Sequence, residues 1–250
     1  VMFGVALSIR ISTFKSIFKK PKSATIGLLF QWVALPALTC LLAIVLNPFI
    51  TPMVALGMIL VASCPGGNIS NFLSSLSKGN VELSVSMTAI STLFASLITP
   101  LNFWFWGTHY CRFASIRNDI PTLDIPFAEM LSQIILILGI PIVLGLFFSH
   151  KFPNVAKKII KPTQIISILF FVAMVVVSMT QVLSGFEQRW EVYAAILCAL
   201  VIVVIHNALA LSTGYFGGKF TKLPKKDCRT LAIEIGIQNS GLALALLFNP

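Results

Sequence analysis

Apolar residues run on in this chain far beyond what a water-soluble fold uses. Segments long enough to span a bilayer fall at roughly 24–46, 53–76, 81–107, 127–149, 163–184, 191–216 and 230–250. Each meets or approaches the ~20 residues that a membrane-crossing helix needs. None alternates with a period of two, and all are too long for barrel strands. The polar stretches between them are short, apart from 108–126. The pattern predicts an all-α polytopic membrane protein. The opening VMFGVALSI is apolar but too short to span, and no basic region precedes it as in a signal peptide. With the ending at Asn249-Pro250, this reads as a chain that starts inside one transmembrane helix and stops inside another.

Composition agrees: 57% of the residues are hydrophobic and 10% charged, against about 25% charged in a soluble domain. The net charge of +10 invites a nucleic-acid reading, but the placement of the charges excludes it. Lys and Arg gather at 10–22 (five), 151–161 (four) and 219–229 (five), while the polar stretches between carry at most two each. By the positive-inside rule the basic loops, together with Lys78, are cytoplasmic. The basic balance is thus a topology signal, and the partner it implies is the lipid bilayer. The cysteines Cys40, Cys64, Cys111, Cys198 and Cys228 show no CxxC spacing and read as packing residues.

Two spans break the pattern. In 53–76 the run MVALGMILVAS meets Cys64-Pro65-Gly66-Gly67, which interrupts a helix by removing a donor and adding flexibility; helix resumes through NISNFLSSLS. In 230–250 the run TLAIEIGIQNSGLALALL carries Glu234, Gly236, Gln238, Asn239, Ser240 and Gly241. Glu234 is the one acid inside an apolar run. Ionised, it costs several kcal/mol unless it is paired or coordinates a cation; a cation would compensate it, as would protonation. On SVSMTAIST, Ser84, Thr88 and Ser91 or Thr92 share one helical face. Hydroxyls, amides and a carboxylate form a hard oxygen set suited to Na⁺ rather than a soft metal. The two broken spans lie five spans apart and so run in opposite directions. Paired interrupted helices in inverted halves point to a transporter's midplane site. A membrane-embedded protease would need an Asp pair, a HExxH or a serine with its base; the spans hold one Glu, no Asp and no HExxH. His206-Asn207 reads as an interhelical contact.

SCPGGNISN, then KGNVELSVSMTAISTL, and later EIGIQNSGLALAL resemble the bile acid:sodium symporter family in its bacterial branch. The resemblance covers nearly the whole chain, including IFKKPKSATIGLLFQWVALP. It implies two inverted five-helix repeats that form a core and a panel domain, with two broken, crossing helices. Residues 1–125 would be the first repeat, lacking its first helix and broken at 53–76; 126–250 would be the second, lacking its last helix and broken at 230–250. It also implies two Na⁺ ions. One would be held by Ser70, Asn71, Ser84, Thr88 and Glu234; the other by Gln31, Glu234 and Gln238 with the carbonyls of Ile235 and Ile237. The substrate, an organic anion such as a bile acid or a small carboxylate, would lie near Asn68 and Asn239. The implied activity is sodium-coupled import by alternating access, in a multi-pass protein of the bacterial inner membrane.

Overall fold

The structure is a computed structural model and describes Leu7 and residues 21–118, 127–184 and 189–247. The rest of the opening apolar stretch, the expected repeat boundary at 125/126 and the final three residues lie outside them. The described residues form helices joined by short non-helical connections, without a strand. In chain order they form α1 (Pro21–Leu46), α2 (Pro52–Ser63), α3 (Asn68–Leu76), α4 (Val81–Leu93) and α5 (Ala95–Asn118). There follow α6 (127–151), α7 (Pro153–Ser184), α8 (Arg189–Phe220), α9 (Lys225–Gly236) and α10 (Ser240–Leu247).

Helices α1 and α8 are each apolar and long enough to cross a bilayer, over Pro21–Leu46 and Ile196–Phe220. The expected span at 81–107 is corrected. It consists of two helices, α4 and α5, that meet at 74° around Phe94. Phe94 closes α4 and bonds back to Ile90 O and Thr92 O. The bend carries no proline of its own; Pro100 sits inside α5. The polar connections are also shorter than expected. Helix α5 runs on to Asn118, and α6 and α7 are separated by Phe152 alone. Hydropathy marks only the part of a helix that matches lipid, and nothing obliges the backbone to unwind where the side chains turn polar.

Four kinds of contact position the site. Helices α2, α5 and the second half of α1 share a core of Cys40, Ala43, Ala55, Ile59, Tyr110 and Ala114, with Tyr110 bonded to Asn47 Oδ1 at 3.0 Å. The first half of α1 joins α4, α8 and α9 through Ala24, Met87, Ala210, Leu231 and Ile235. Thr39 of α1 meets His206 of α8 at 3.0 Å, an interhelical contact as the sequence predicts. Lastly, α9 lies along α8 with almost no space between the backbones.

That closeness depends on Gly214 and Gly218, four residues apart on one face of α8, the spacing by which membrane helices approach closely. A Cβ on Gly214 would run into the backbone carbonyl of Leu231 and lie 2.7 Å from Ala232 Cα. One on Gly218 would lie 3.1 Å from Cys228 Cα. Backbone cannot rotate away as a side chain can. Gly214→Ala is therefore expected to push α9 off α8 and lower stability by at least about 1–3 kcal/mol. Thermal unfolding of the purified protein in detergent measures this; an unchanged midpoint would contradict the packing.

Candidate functional site

Both interrupted helices break where the sequence predicts, and the breaks meet. Thr51 caps α2 and Pro52 opens it. The helix ends at Ser63, because Pro65 forces the preceding Cys64 into an extended conformation (φ −76°, ψ 159°). Gly67 is also extended, at φ −81° and ψ 153°. On the other strand of the crossing, α9 ends at Gly236 and Ile237 departs from helix, at φ −114° and ψ 88°. Gly66 and Gln238 then pair as an isolated antiparallel bridge. Gly67 N donates to Ile237 O at 2.8 Å and Asn239 N donates to Pro65 O at 2.9 Å. Each broken helix thus satisfies backbone groups that the other exposes, which lipid could not do. Four helix ends converge here: the C-termini of α2 and α9 and the N-termini of α3 and α10.

Glu234 lies beside this crossing with no solvent exposure. Its Oε1 accepts from Ser70 Oγ at 2.6 Å and from Ser84 Oγ through a short bond. Its Oε2 accepts from Thr88 Oγ1 at 3.0 Å. Asn71 Oδ1 lies 2.8 Å from Ser84 Oγ and 3.3 Å from Thr88 Oγ1, and Gly67 O lies 2.6 Å from Ser70 Oγ. Ser70, Asn71, Ser84, Thr88 and Glu234, the set that the family resemblance implies, are therefore one cluster drawn from α3, α4 and α9. Three hydroxyl protons face four acceptor oxygens, and one of the acceptor groups is a carboxylate. Such a surplus of oxygen over hydrogen favours a bound cation. Ser91 instead bonds to Thr88 O within α4 at 3.2 Å, while Thr92 Oγ1 is buried without a described partner.

The second expected set is looser. Gln31 is 1% exposed and occupies a π-helical turn, Phe30–Ala34, within α1. Neither its Oε1 nor its Nε2 finds a described hydrogen-bond partner, and nor does Gln238 Oε1. Gln238 Nε2 donates to Ile235 O at 2.8 Å, and Ile237 O is taken by Gly67 N. Gly66 fixes the spacing between Gln31 and Glu234. A Cβ there would lie 2.8 Å from Glu234 Oε2 and 3.3 Å from Gln31 Nε2. Buried amide atoms without partners are uncommon and costly; that of Gln31 lies, like the Glu234 carboxylate, against Gly66 and would suit an oxygen-ligated ion. Among the described residues no three His, Cys, Asp or Glu side chains gather.

Asn239 is the N-cap of α10, its Oδ1 accepting from Leu242 N at 3.1 Å. Asn68 opens α3 on the opposite side of the crossing, and its side chain lies outside the described residues.

A family model described as the sodium bile acid symporter family matches residues 1–189. The chain belongs to this family. It is 31% identical over 98% of its length to an uncharacterized sodium-dependent transporter, YocS, of Bacillus subtilis (strain 168), of which it covers 70%. It is 29% identical over its whole length to the ileal sodium/bile acid cotransporter of Oryctolagus cuniculus, covering 68% of that protein. It is 31% identical to human sodium/bile acid cotransporter 4, covering 53% of it. A family of membrane transporters, rather than of enzymes, is the setting in which the crossing has to be understood.

Asp227 is a polar residue of this region that its position in a basic loop conceals. It is 2% exposed and accepts from Ser23 Oγ at 2.7 Å and from Asn80 Nδ2 at 2.8 Å. Thr230 Oγ1 accepts from Asn80 N at 2.7 Å. The knot fastens α9 to α1 and to the start of α4. Asp227 and Glu234 are seven residues apart on one helical face, and this spacing is the signal that could have revealed it.

Proposed function

We propose that this protein is a sodium-coupled symporter that imports an organic anion, a bile acid or a small carboxylate, by alternating access. The observation that carries the reading is Glu234, a fully buried carboxylate met by hydroxyls and amides where two broken helices cross. Two Na⁺ ions would share it. Ser70, Asn71, Ser84 and Thr88 would complete one shell, and Gln31, Gln238 and the carbonyls of Ile235 and Ile237 the other. Two cations beside one carboxylate leave a net positive charge, which an anion would neutralise. The N-termini of α3 and α10 add positive helix-end potential on the same spot. Asn68 and Asn239, at or beside those N-termini, are the proposed substrate contacts; Asn239 caps with its oxygen and leaves its NH₂ to donate.

Residues 1–125 and 126–250 act in this proposal as inverted repeats that build a core carrying the ions and a panel against which it rocks. A multi-pass protein of the bacterial inner membrane fits the charge pattern. Ions bound at the crossing would brace the two breaks, so that movement follows loading. The test is uptake of candidate anions by full-length protein in proteoliposomes, with an inward Na⁺ gradient or with K⁺ in its place. Accumulation that depends on Na⁺ supports the reading. Equal flux in K⁺ would sink it and leave a passive pathway or coupling to another ion.

A further inference from the structure

The π-helical turn that carries Gln31 has a specific cause. Pro36 brings no N–H to the turn, so the carbonyl four residues before it, Trp32 O, loses its ordinary helical donor. Leu35 N bonds back to Phe30 O instead, the five-residue step of a π-turn. Trp32 O accepts from Asn102 Nδ2 of α5 at 2.7 Å. The turn is also gripped on both sides. The Trp32 ring stands edge-on to Phe94 at 6.0 Å, and the Phe30 ring lies over Gly217 of α8, where a Cβ would collide with it. Between Phe30 and Trp32, Gln31 presents its unpartnered amide close to Gly66 and Glu234.

We infer that Asn102 is a positioning residue for the ion site at Gln31, because its amide supplies the donor that Pro36 withholds and so holds the widened turn that aims Gln31 at the carboxylate. The inference rests on the sodium reading of Glu234. It gives the bent α4–α5 pair two duties. Helix α4 supplies Ser84 and Thr88 to one oxygen cluster, while Phe94 at the bend and Asn102 beyond it hold the turn that forms the other. The two ion sites are then joined by a shared element as well as by a shared carboxylate. Relaxation of the turn to an ordinary α-helical step would rotate Gln31 away from Gly66.

Na⁺ alone is the probe, with K⁺ as control, on the purified full-length protein. The readouts are the Na⁺ dependence of thermal unfolding and its Hill coefficient. Asn102→Leu keeps the volume and removes the donor. It is expected to weaken the Na⁺ response about fivefold, the worth of one hydrogen bond, and to pull the Hill coefficient toward one as the Gln31 site is lost. Asn102→Gln keeps a donor and is expected to retain the wild-type Hill coefficient. A merely structural Asn102 would lower the unfolding temperature equally in Na⁺ and K⁺ with an unaltered Na⁺ dependence, and that result overturns the inference. If Asn102→Leu does not fold, Pro36→Ala decides. By returning an N–H to the turn it lets the turn relax, and unchanged Na⁺ cooperativity would refute the role. Glu234→Gln run alongside separates the two levels. Loss of the Na⁺ response there with none in Asn102→Leu removes only the positioning role; no loss in either removes the sodium reading with it.

Discussion

Glu234→Gln is expected to lower Na⁺ affinity by well over tenfold, more than about 1.4 kcal/mol, and to abolish Na⁺-driven uptake. The substitution keeps the size of the side chain and removes its charge. Its amide would also place two N–H donors among Ser70, Ser84 and Thr88, whose hydroxyls now donate to the carboxylate. Both changes act against a cation. Ser84→Ala removes one neutral oxygen from the same cluster, which water can replace, and is expected to cost less. The measurement is the Na⁺ dependence of thermal stability and of uptake for both variants in full-length protein. An unchanged Na⁺ dependence in Glu234→Gln would defeat the sodium reading and leave a proton-coupled or purely structural carboxylate.

How much of this could be read from the chain differs from element to element. The breaks at 63–67 and 236–239 were legible because proline and adjacent glycines cannot continue a helix, and because polar residues in an apolar run need a reason. Glu234, Ser84 and Thr88 were legible for two reasons, whereas Ser70 and Asn71 were implied by the resemblance alone. One carboxylate stands alone among the apolar segments, and Ser84 and Thr88 are one helical turn apart. The contact between the breaks was implied by resemblance alone; no spacing along the chain reveals that Gly67 bonds to Ile237. The 74° bend at Phe94 has no proline to mark it, and the two helices that meet there pack into different cores, α4 with α8 and α9 and α5 with α2. Asp227 was hidden because a basic loop is ordinarily solvated. Its burial depends on Ser23 and Asn80, both far off in sequence. The π-turn had a sign in Pro36, but only the partner at Asn102 shows why the turn persists.

Gly66→Ala is expected to be nearly as damaging as loss of the carboxylate, and for a reason that a control can isolate. Among the described glycines none has positive φ, so alanine meets no backbone penalty at position 66. The obstacle is space. The added methyl would lie 2.8 Å from Glu234 Oε2, 3.3 Å from Gln31 Nε2 and 3.4 Å from Glu234 O. At the first of these distances something must move. The candidates are a carboxylate held by three hydroxyls and a backbone held by the bridge to Gln238. Displacing the carboxylate separates it from Ser70 and Thr88. Displacing the backbone strains the bonds from Gly67 N to Ile237 O and from Asn239 N to Pro65 O. Either route opens the oxygen cluster and lowers stability by about 1–3 kcal/mol, with most of the Na⁺ response lost. Gly57, in α2, has nothing within 4 Å of an added Cβ. Gly57→Ala is expected to be neutral or slightly stabilising, since alanine is the better helix former by about 1 kcal/mol. Thermal unfolding of both variants in Na⁺ and in K⁺ makes the comparison. If Gly66→Ala kept a wild-type response to Na⁺, the ions would have to bind away from this crossing, because no cation could remain on a carboxylate so displaced without a change in affinity.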